Sequence, residues 1–287
     1  MDGEYILTMT CPDTTASGRW FSGNLWTKET KKMAATAVTD TIDDQLRGKL
    51  EDLAKACRIL EINGHGDRIW GHAAMRDPEG RGFWIKRHTI SLGEVFDAND
   101  FQLTDFDGKP VMGEGKRHSE WPIHGEIFLI RADIDYTAHT HPFYCSIYSA
   151  VEDPLRLVRG TELDAPPRYE GSSELIRDKT RGREMAEALG DHMVLFLRNH
   201  GVVFCGHDVT ELVWNGIDLE VCSEQMLTVN GSGLAWGWAP EEERRKKSDA
   251  SHSLGSDDPL WDYYCRQLAR AEAAGDIRLS TGPVENR

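Results

Sequence analysis

The first regular pattern of hydrophobic and polar positions runs from residue 41 to residue 62. Its apolar side chains recur every three or four residues, so they fall on one face of a helix. They are Ile42, Leu46, Leu50, Leu53, Ala54, Cys57 and Leu60. The pattern predicts an amphipathic helix that ends near the turn Asn63-Gly64.

The pattern changes in residues 65–112, where short apolar segments are separated by Gly, Pro and Asp. The run Asp77-Pro78-Glu79-Gly80 and the pair Asp107-Gly108 are typical of hairpin turns. This part of the chain is therefore predicted to be an antiparallel meander.

Helices and strands alternate along the rest of the chain. The predicted helices cover residues 119–132, 143–151, 172–189, 208–229 and 258–274, and the predicted strands are residues 136–141 and the two arms of a hairpin at 193–205. Ser119 is the expected N-cap of the first of these helices, with Pro122 in its first turn. Asp208 and Glu211 have the spacing of a capping box. Residues 239–258 are charged and rich in Ser and Asp, which predicts a linker or mobile segment.

A chain of 287 residues is long enough for one large α/β domain with extensions at both ends. We assign residues 1–40 to an N-terminal extension, 41–232 to the main domain and 233–287 to a C-terminal extension. The aromatic residues Trp261, Tyr263 and Tyr264 in the last segment either pack in the core or close over a pocket.

Charge and composition narrow the classes of function. The net charge is −15, from 33 basic and 48 acidic residues, which argues against a protein that neutralises nucleic-acid phosphates. No apolar run approaches the roughly 18 residues that a membrane span needs, and the first residues lack the pattern of a secretory signal. The six cysteines form no C-x-x-C pair, as expected for reduced thiols. We predict a cytoplasmic protein with a small-molecule substrate and without a nucleic-acid or membrane partner.

Three histidines form the first candidate site. His139 and His141 are two residues apart on a predicted strand, so both side chains point to one face and could hold one divalent ion. An isolated pair of this kind is equally compatible with satisfied or exposed histidines. His200 adds a third imidazole at the turn of the 193–205 hairpin, where Gly201 permits a close approach. Three histidines with an open fourth position are typical of a catalytic zinc site, and without a thiolate they also suit Mn, Fe or Co.

Glu120 precedes His139 by 19 residues, at the start of a predicted helix. It is a candidate general acid or base beside the metal, although a carboxylate in the first turn also complements the helix dipole. His124 lies one turn further along and either lines the same pocket or packs in the core.

These segments resemble the signature of the class II aldolase/adducin family. The matching motifs are Ser119-Glu120-x-Pro122-x-His124, His139-Thr140-His141-Pro142 and Arg198-Asn199-His200-Gly201, and the resemblance spans roughly residues 45–230. It implies a three-layer α/β/α domain with a central, mainly antiparallel sheet, assembled as a homo-oligomer, with a tetramer favoured. It also implies His139, His141 and His200 as ligands of one divalent metal ion, zinc first, and Glu120 as the catalytic acid/base.

The sequence departs from the sugar-phosphate aldolases of that family. Their Gly-Asn-x-Ser segment, which cradles phosphate, corresponds here to the stretch at residues 71–76, with His72 in place of Asn and Ala74 in place of Ser. Residues 86–89 replace a Thr-Pro-Ser-Gly-like segment, and only Ser119 remains of a second serine-rich stretch. The variant Gly71-His72-x-x-x-Arg76 is more similar to the family's decarboxylases and related enzymes that act on hydroxylated aromatic acids.

An aromatic ortho-hydroxy acid can chelate a metal ion, and the ion then shares the charge that remains after loss of CO₂. Cations and donors for a second carboxylate are Lys86, Arg87, His72 and Arg117, each of which is also compatible with an ordinary surface role. Phe143 and Tyr144 either form an apolar pocket wall or belong to the core. The candidate substrate-binding residues are His72, Arg87, Ser119, His124 and Tyr144.

The sequence therefore favours a divalent-metal-dependent carbon–carbon lyase, most simply a decarboxylase of a hydroxylated aromatic or cyclic acid. An aldolase acting on a non-phosphorylated hydroxy or keto substrate is the first alternative. An Fe(II)-dependent oxygenase that uses the same histidines is the second. An adducin-like scaffold without enzymatic activity is the third, and the intact set of three histidines with Glu120 disfavours it.

Overall fold

A computed structural model of the chain describes residues 38–156, 165–252 and 259–277. Most of the predicted N-terminal extension, residues 1–37 of 1–40, lies outside the described part. The described residues belong to one compact unit. The division into a main domain and two extensions stays a prediction.

A mixed sheet of eight strands forms the centre of the described structure. The strands are β1 (His72–Arg76), β2 (Phe83–Lys86), β3 (Phe101–Thr104), β4 (Pro110–Met112), β5 (Tyr136–Thr140), β6 (Arg168–Tyr169), β7 (Val194–Leu197) and β8 (Gly201–Gly206). They are arranged in the order β4-β3-β2-β1-β5-β8-β7-β6, and all neighbours are antiparallel except β6 and β7. The predicted meander (β1 to β4) and the predicted hairpin (β7 and β8) are both confirmed.

Helices cover both faces of this sheet. They are α1 (Asp44–Leu60), α2 (Trp121–Ile130), α3 (Phe143–Tyr148), α4 (Lys179–Leu189), α5 (Val209–Gly231), α6 (Glu241–His252) and α7 (Pro259–Ala274). Along β8, Val202 and Phe204 join one hydrophobic cluster with side chains of α1 and α5, whereas Val203 and Cys205 join a second cluster with side chains of α2 and α4. Because alternate residues of a strand face opposite sides, this division confirms the three-layer α/β/α arrangement.

The helix α1 illustrates how the sequence pattern produces the fold. The Asp43 carboxylate caps its first turn by accepting a hydrogen bond from the Leu46 amide over 2.7 Å. Its apolar stripe packs against the sheet, and the chain turns at Gly64, whose φ is +88°. A third cluster joins α1 to α7, and it includes the buried side chains of Ile59 and Tyr264. Tyr264 is thus a packing residue, whereas Tyr263 is exposed.

Two predicted helix boundaries are wrong. Helix α2 begins at Trp121, and its N-cap position is Glu120 rather than Ser119, without a capping side-chain bond. Helix α4 begins at Lys179, seven residues later than predicted, because the carboxylate of Asp178 caps the amide of Arg181 over 3.0 Å. The amide of Ile176 is used instead to bind Glu120, so the preceding segment is not helical.

The prediction of a linker at 239–258 is also wrong over residues 241–252, which form α6. Three glutamates occupy its first turn, where they complement the helix dipole. The pairs Glu241–Arg245 and Glu242–Lys246 are spaced i to i+4 and bridge successive turns. The composition of this segment suggests a linker, but the order of its charged residues is that of a helix. Within the described ranges, no helix combines the length and the apolar character that crossing a membrane requires.

Candidate active site

The three histidines of the candidate metal site meet where β5 ends and β8 begins. His139 lies on β5, His141 follows its last residue, and His200 immediately precedes β8. Since β5 pairs with β8, with Thr140 opposite Val202, the hairpin turn lies beside the end of β5. One nitrogen of each imidazole lies within 4.8 Å of one nitrogen of each of the other two. The structure thus brings together the three residues that the spacing predicted.

The hydrogen bonds of two of these rings leave lone pairs at the centre of the cluster. His139 donates its Nδ1 proton to the carbonyl of Val202 over 2.9 Å, and His141 donates its Nδ1 proton to the carboxylate of Asp67 over 3.0 Å. In a neutral imidazole the other nitrogen is then an acceptor. The two Nε2 atoms nevertheless lie only 3.0 Å apart. Two facing lone pairs repel, so this geometry fits a shared cation, and a divalent metal ion suits three imidazoles.

The loop geometry around His200 depends on its two neighbours. Asn199 adopts a positive φ of +53°, which Asn tolerates better than most residues, and the His200 amide closes the turn onto Leu197. A Cβ atom on Gly201 would lie 2.5 Å from the Thr140 carbonyl oxygen and 2.6 Å from Cδ2 of His141. Gly201 is needed for this close approach. The Nε2 atom of His200 is buried and has no hydrogen-bond partner among the described residues.

Glu120 lies next to this cluster in a buried environment. Its Oε1 atom accepts a hydrogen bond from the Ile176 amide over 3.0 Å and lies 3.8 Å from Nε2 of His200. Burial raises the pKa of Glu120 to about 7, while the Ile176 amide and the charge of Arg177 oppose this shift. A carboxyl group with a pKa near neutrality can both release and accept a proton at physiological pH. These properties suit the predicted acid/base role.

A row of imidazoles extends from the metal site toward the protein surface. His72 pairs with His139 across β1 and β5, and its Nδ1 lies 2.6 Å from Nε2 of His124. The ring centroid of His118 lies 3.8 Å from that of His72 and 4.6 Å from that of His88. His124 uses its second nitrogen to contact Thr137 over 2.6 Å, so it supports His72 and offers no free nitrogen.

His72, Glu120 and His139 form a second group that could hold a metal ion. Both groups contain His139, whose Nδ1 is hydrogen-bonded to the Val202 carbonyl. Only its Nε2 lone pair is left for a metal, and a single lone pair cannot bind two ions at once. The first group fits a divalent ion better, because hydrogen bonds at Nδ1 hold two of its three rings in place.

The other candidate substrate-binding residues have varied surroundings. Arg87 is ion-paired with Asp100, and Ser119 is half-buried between His118 and Glu120. The hydroxyl of Tyr144 is hydrogen-bonded to the Glu224 carboxylate, which raises the pKa of Tyr144. The roles assigned to these residues from the sequence stay predictions.

Lys86 and Arg117, considered from the sequence for binding a second carboxylate, both donate hydrogen bonds to backbone carbonyls of the protein. Lys86 is buried, and its ammonium group donates hydrogen bonds to the carbonyls of Ile69, Arg87 and Ile90. Arg117 donates to the Gly108 carbonyl and lies over the ring of Trp121. Both groups therefore have partners within the fold.

Sequence reasoning missed two residues of the site. Asp67, which orients His141, lies in a loop 74 residues earlier in the chain, and nothing in the local sequence separates it from other loop aspartates. His118 precedes the Ser119-Glu120 motif and is only 2% exposed. Its position directly before a recognised motif was the one available signal.

Comparisons with known proteins agree with this architecture. Residues 51–227 match the family described as "Class II Aldolase and Adducin N-terminal domain". A 3,4-dihydroxyphthalate decarboxylase from Arthrobacter keyseri is 29% identical over 242 residues, which are 79% of this chain and 95% of the relative. An L-fuculose phosphate aldolase from Methanococcus maripaludis is 29% identical over 171 residues, which are 56% of this chain and 87% of the relative.

A solved structure shows the same fold. The aldolase II superfamily protein from Pseudomonas syringae has a TM-score of 0.72 at 24% identity, and the match covers 84% of this chain and 98% of that one. The family match extends over more than half of the sequence and includes all three histidines and Glu120. The chain therefore belongs to the class II aldolase/adducin family.

Proposed function

We propose that the protein is a divalent-metal-dependent carbon–carbon lyase that decarboxylates a hydroxylated aromatic acid. The observation that carries the proposal is the convergence of three imidazole nitrogens, from His139, His141 and His200, beside the buried carboxyl group of Glu120. Zinc is the first choice of metal, and manganese or iron would also suit the ligands.

The residues of the site suit the steps of a decarboxylation. A divalent ion held by the three histidines would supply Lewis-acid stabilisation of the charge that remains when CO₂ departs. Glu120 would then deliver a proton to the carbon that lost the carboxylate. Its Oε1 atom accepts the Ile176 amide, so the proton is carried at Oε2. Burial keeps the pKa of Glu120 at about 7, so the protonated form is populated at neutral pH.

Two features support an aromatic acid over a sugar phosphate. The Arthrobacter keyseri relative is a decarboxylase whose name specifies a dihydroxylated aromatic diacid, and the match covers 95% of its length. The residues that would cradle phosphate are replaced by His72, which is buried and hydrogen-bonded to His124, and by Ala74. A fully buried imidazole on β1 thus stands where those enzymes have the asparagine of their phosphate-binding segment.

Elemental analysis and a decarboxylation assay test the proposal together. The purified protein should carry about one transition-metal ion per chain and release CO₂ from an ortho-hydroxylated aromatic acid such as 3,4-dihydroxyphthalate. His200→Ala should lose both properties. His207→Ala is the matched control, because His207 is exposed and paired with Glu211 away from the site. Metal-free wild-type protein that takes up no metal on reconstitution would overturn the proposal and favour an adducin-like scaffold.

An aldolase is the second candidate, favoured by the similarity to the Methanococcus maripaludis L-fuculose phosphate aldolase. It would use the same histidines and Glu120 on a non-phosphorylated hydroxy or keto substrate. Cleavage of such a substrate, with no release of CO₂ from any aromatic acid, would establish it. The Fe(II)-dependent oxygenase differs from both lyases in needing O₂, so full activity under anaerobic conditions would exclude it.

We further propose that the protein acts in the cytoplasm as a homo-oligomer, most simply a tetramer. The family resemblance supports this assembly. The large exposed apolar side chains of Phe143 (67% exposed) and Ile147 (43% exposed) on α3 suit a subunit contact. Sedimentation at micromolar concentration tests the proposal, and a monomer under those conditions would contradict it.

A further inference from the structure

The imidazole row ends, away from the three histidines of the candidate metal site, at His118 and His88. Each of these two rings has a buried nitrogen without a hydrogen-bond partner among the described residues, and positive charges lie nearby. His118 is 2% exposed, and its Nδ1 accepts a hydrogen bond from the Glu120 amide over 3.4 Å. In a neutral ring the proton is then on Nε2. This Nε2 atom is buried without a hydrogen-bond partner among the described residues, as is Nδ1 of the neighbouring His88. A buried donor without an acceptor is costly, so the site is suited to a ligand that supplies one.

The charge of Arg177 reaches Glu120 and His88, which flank His118 in the site. The Ile176 amide binds the Glu120 carboxylate over 3.0 Å, so the backbone of the next residue, Arg177, lies beside the site. Its side chain is exposed, and no carboxylate pairs with it in the part of the chain that the structure describes. Its charge acts on both Glu120 and His88, since it lowers the pKa of each of them.

Lys116 adds a second cation at this end of the row. Its carbonyl accepts a hydrogen bond from the His88 amide over 3.0 Å, and its charge also lowers the pKa of His88. The chain as a whole carries a net charge of −15 and would repel an anionic substrate at long range. Fixed positive charges within the Debye length of about 8–10 Å can offset that repulsion at the site itself.

Three of the four residues considered from the sequence for binding a second carboxylate are engaged elsewhere in the fold. Lys86 is surrounded by three carbonyl oxygens, Arg87 is paired with Asp100, and Arg117 contacts Gly108 and Trp121. Arg177 is the remaining arginine that lies beside Glu120 within the described residues.

We propose that Arg177 and the Nε2–H group of His118 bind a carboxylate of the substrate that does not reach the metal, and so select aromatic diacids over monoacids. The guanidinium group is planar and can bind a carboxylate through two parallel hydrogen bonds. The two ring contacts from His118 to His72 and from His72 to His139 join this carboxylate site to the metal site. The inference rests on the proposed function for the identity of the substrate.

Two ligands that differ only in this carboxylate test the proposal without turnover. Catechol and 3,4-dihydroxybenzoate both offer two hydroxyl groups to the metal, and only the latter carries a carboxylate on the far side of the ring. Their dissociation constants are measured by calorimetry on zinc-loaded wild-type protein and on Arg177→Gln, Arg177→Lys and Arg183→Gln. Arg183 is the matched control, because it is exposed on α4 and paired with Glu187. The zinc content of every variant is measured before titration.

Arg177→Gln should weaken 3,4-dihydroxybenzoate about ten- to a hundredfold and leave catechol within about twofold, since a charge-assisted hydrogen bond is lost only for the first ligand. Arg177→Lys should retain part of the preference, and Arg183→Gln all of it. Equal losses for both ligands, an unchanged preference, or no binding of either ligand would overturn the inference. An Arg177-dependent preference in a protein that decarboxylates no acid would leave the carboxylate site standing and remove the proposed reaction.

Discussion

The Nδ1 atom of His141 donates a hydrogen bond to Oδ2 of Asp67 over 3.0 Å, which ties a loop residue to a ring of the candidate metal site. A carboxylate behind a metal-binding imidazole fixes the tautomer and the orientation of the ring and makes Nε2 a stronger ligand. Asp67 lies in the loop before β1, at a turn closed by the hydrogen bond from the Trp70 amide to the Asp67 carbonyl. The candidate metal site therefore depends on the conformation of this loop.

Replacement of Asp67 by Asn should weaken metal binding without removing it. The amide side chain keeps the size of the carboxylate and loses its charge, so we expect about a 10- to 100-fold loss of zinc affinity. Competition with a chromophoric chelator measures this directly. Asp52→Asn is the control, because Asp52 forms an exposed ion pair with Lys55 on α1. Equal affinities of wild type and Asp67→Asn would show that this hydrogen bond does not tune the site.

Gly201 should tolerate no side chain. A methyl group would meet the Thr140 carbonyl and the ring of His141, both under 3.0 Å from the new Cβ, so Gly201→Ala must displace β5 or His141. We expect loss of bound metal even in molecules that remain folded, measured as metal per chain after gel filtration. Full metal content with unchanged thermal stability would contradict the close approach.

Gly48→Ala should have the opposite effect. Gly48 lies inside α1, and nothing lies within 4 Å of a Cβ atom built there. Alanine in a helix interior is about 0.5–1 kcal/mol more favourable than glycine, so the free energy of unfolding should rise by about that amount. Chemical denaturation measures the change, and metal content should be unaffected. A loss of stability would contradict the open space that the structure shows around a Cβ atom at Gly48.

The sequence was sufficient for the parts of the site that local geometry controls. His139 and His141 share a strand face by the period of two, and Gly201 permits the turn that brings in His200. Asp67 could not be found in the same way, because it contacts His141, a residue far away in the chain. Lys86 reads as a surface cation beside Arg87, and only the fold shows that three carbonyls surround it.

Composition misled at α6 for a related reason. Charged residues with Ser and Asp suggested a linker, whereas the order of the charges places glutamates in the first turn and basic partners four residues later. The same residues in another order would lack these pairs. The predicted start of α4 was wrong because the Ile176 amide binds Glu120 instead of continuing a helix. This contact joins residues far apart in the chain, so the local sequence does not show it.

Lys86→Met should destabilise the protein. The methionine side chain has a similar length but leaves the carbonyls of Ile69, Arg87 and Ile90 without their donor in a buried place. We expect a loss of more than about 2 kcal/mol in the free energy of unfolding. Lys179→Met, which removes an exposed pair with Asp107, should change it by less than about 1 kcal/mol. Similar effects of the two substitutions would show that Lys86 has no structural role.

The metal-free protein should lose stability as the pH falls below about 6.5. Burial lowers the pKa of His65 to about 4, of His124 to about 3 and of His118 to about 2. The unfolded chain has ordinary histidines, so between pH 6.5 and these lower values it binds more protons than the folded chain. Stability then falls as the pH falls, by up to about 1.4 kcal/mol per pH unit for each histidine and roughly 4 kcal/mol per unit for the three.

Urea unfolding in the presence of a chelator at pH 7, 6 and 5 measures this dependence, because the chelator removes the contribution of bound metal. Replacement of His124 by Gln removes one of the three groups. The slope of unfolding free energy against pH should therefore decrease by about 1.4 kcal/mol per pH unit, which corresponds to one proton, even if the variant is less stable at every pH. Equal stability of the wild type at pH 7 and pH 5 would contradict the lowered pKa values. An unchanged slope in His124→Gln would show that His124 is not among the groups that titrate on unfolding.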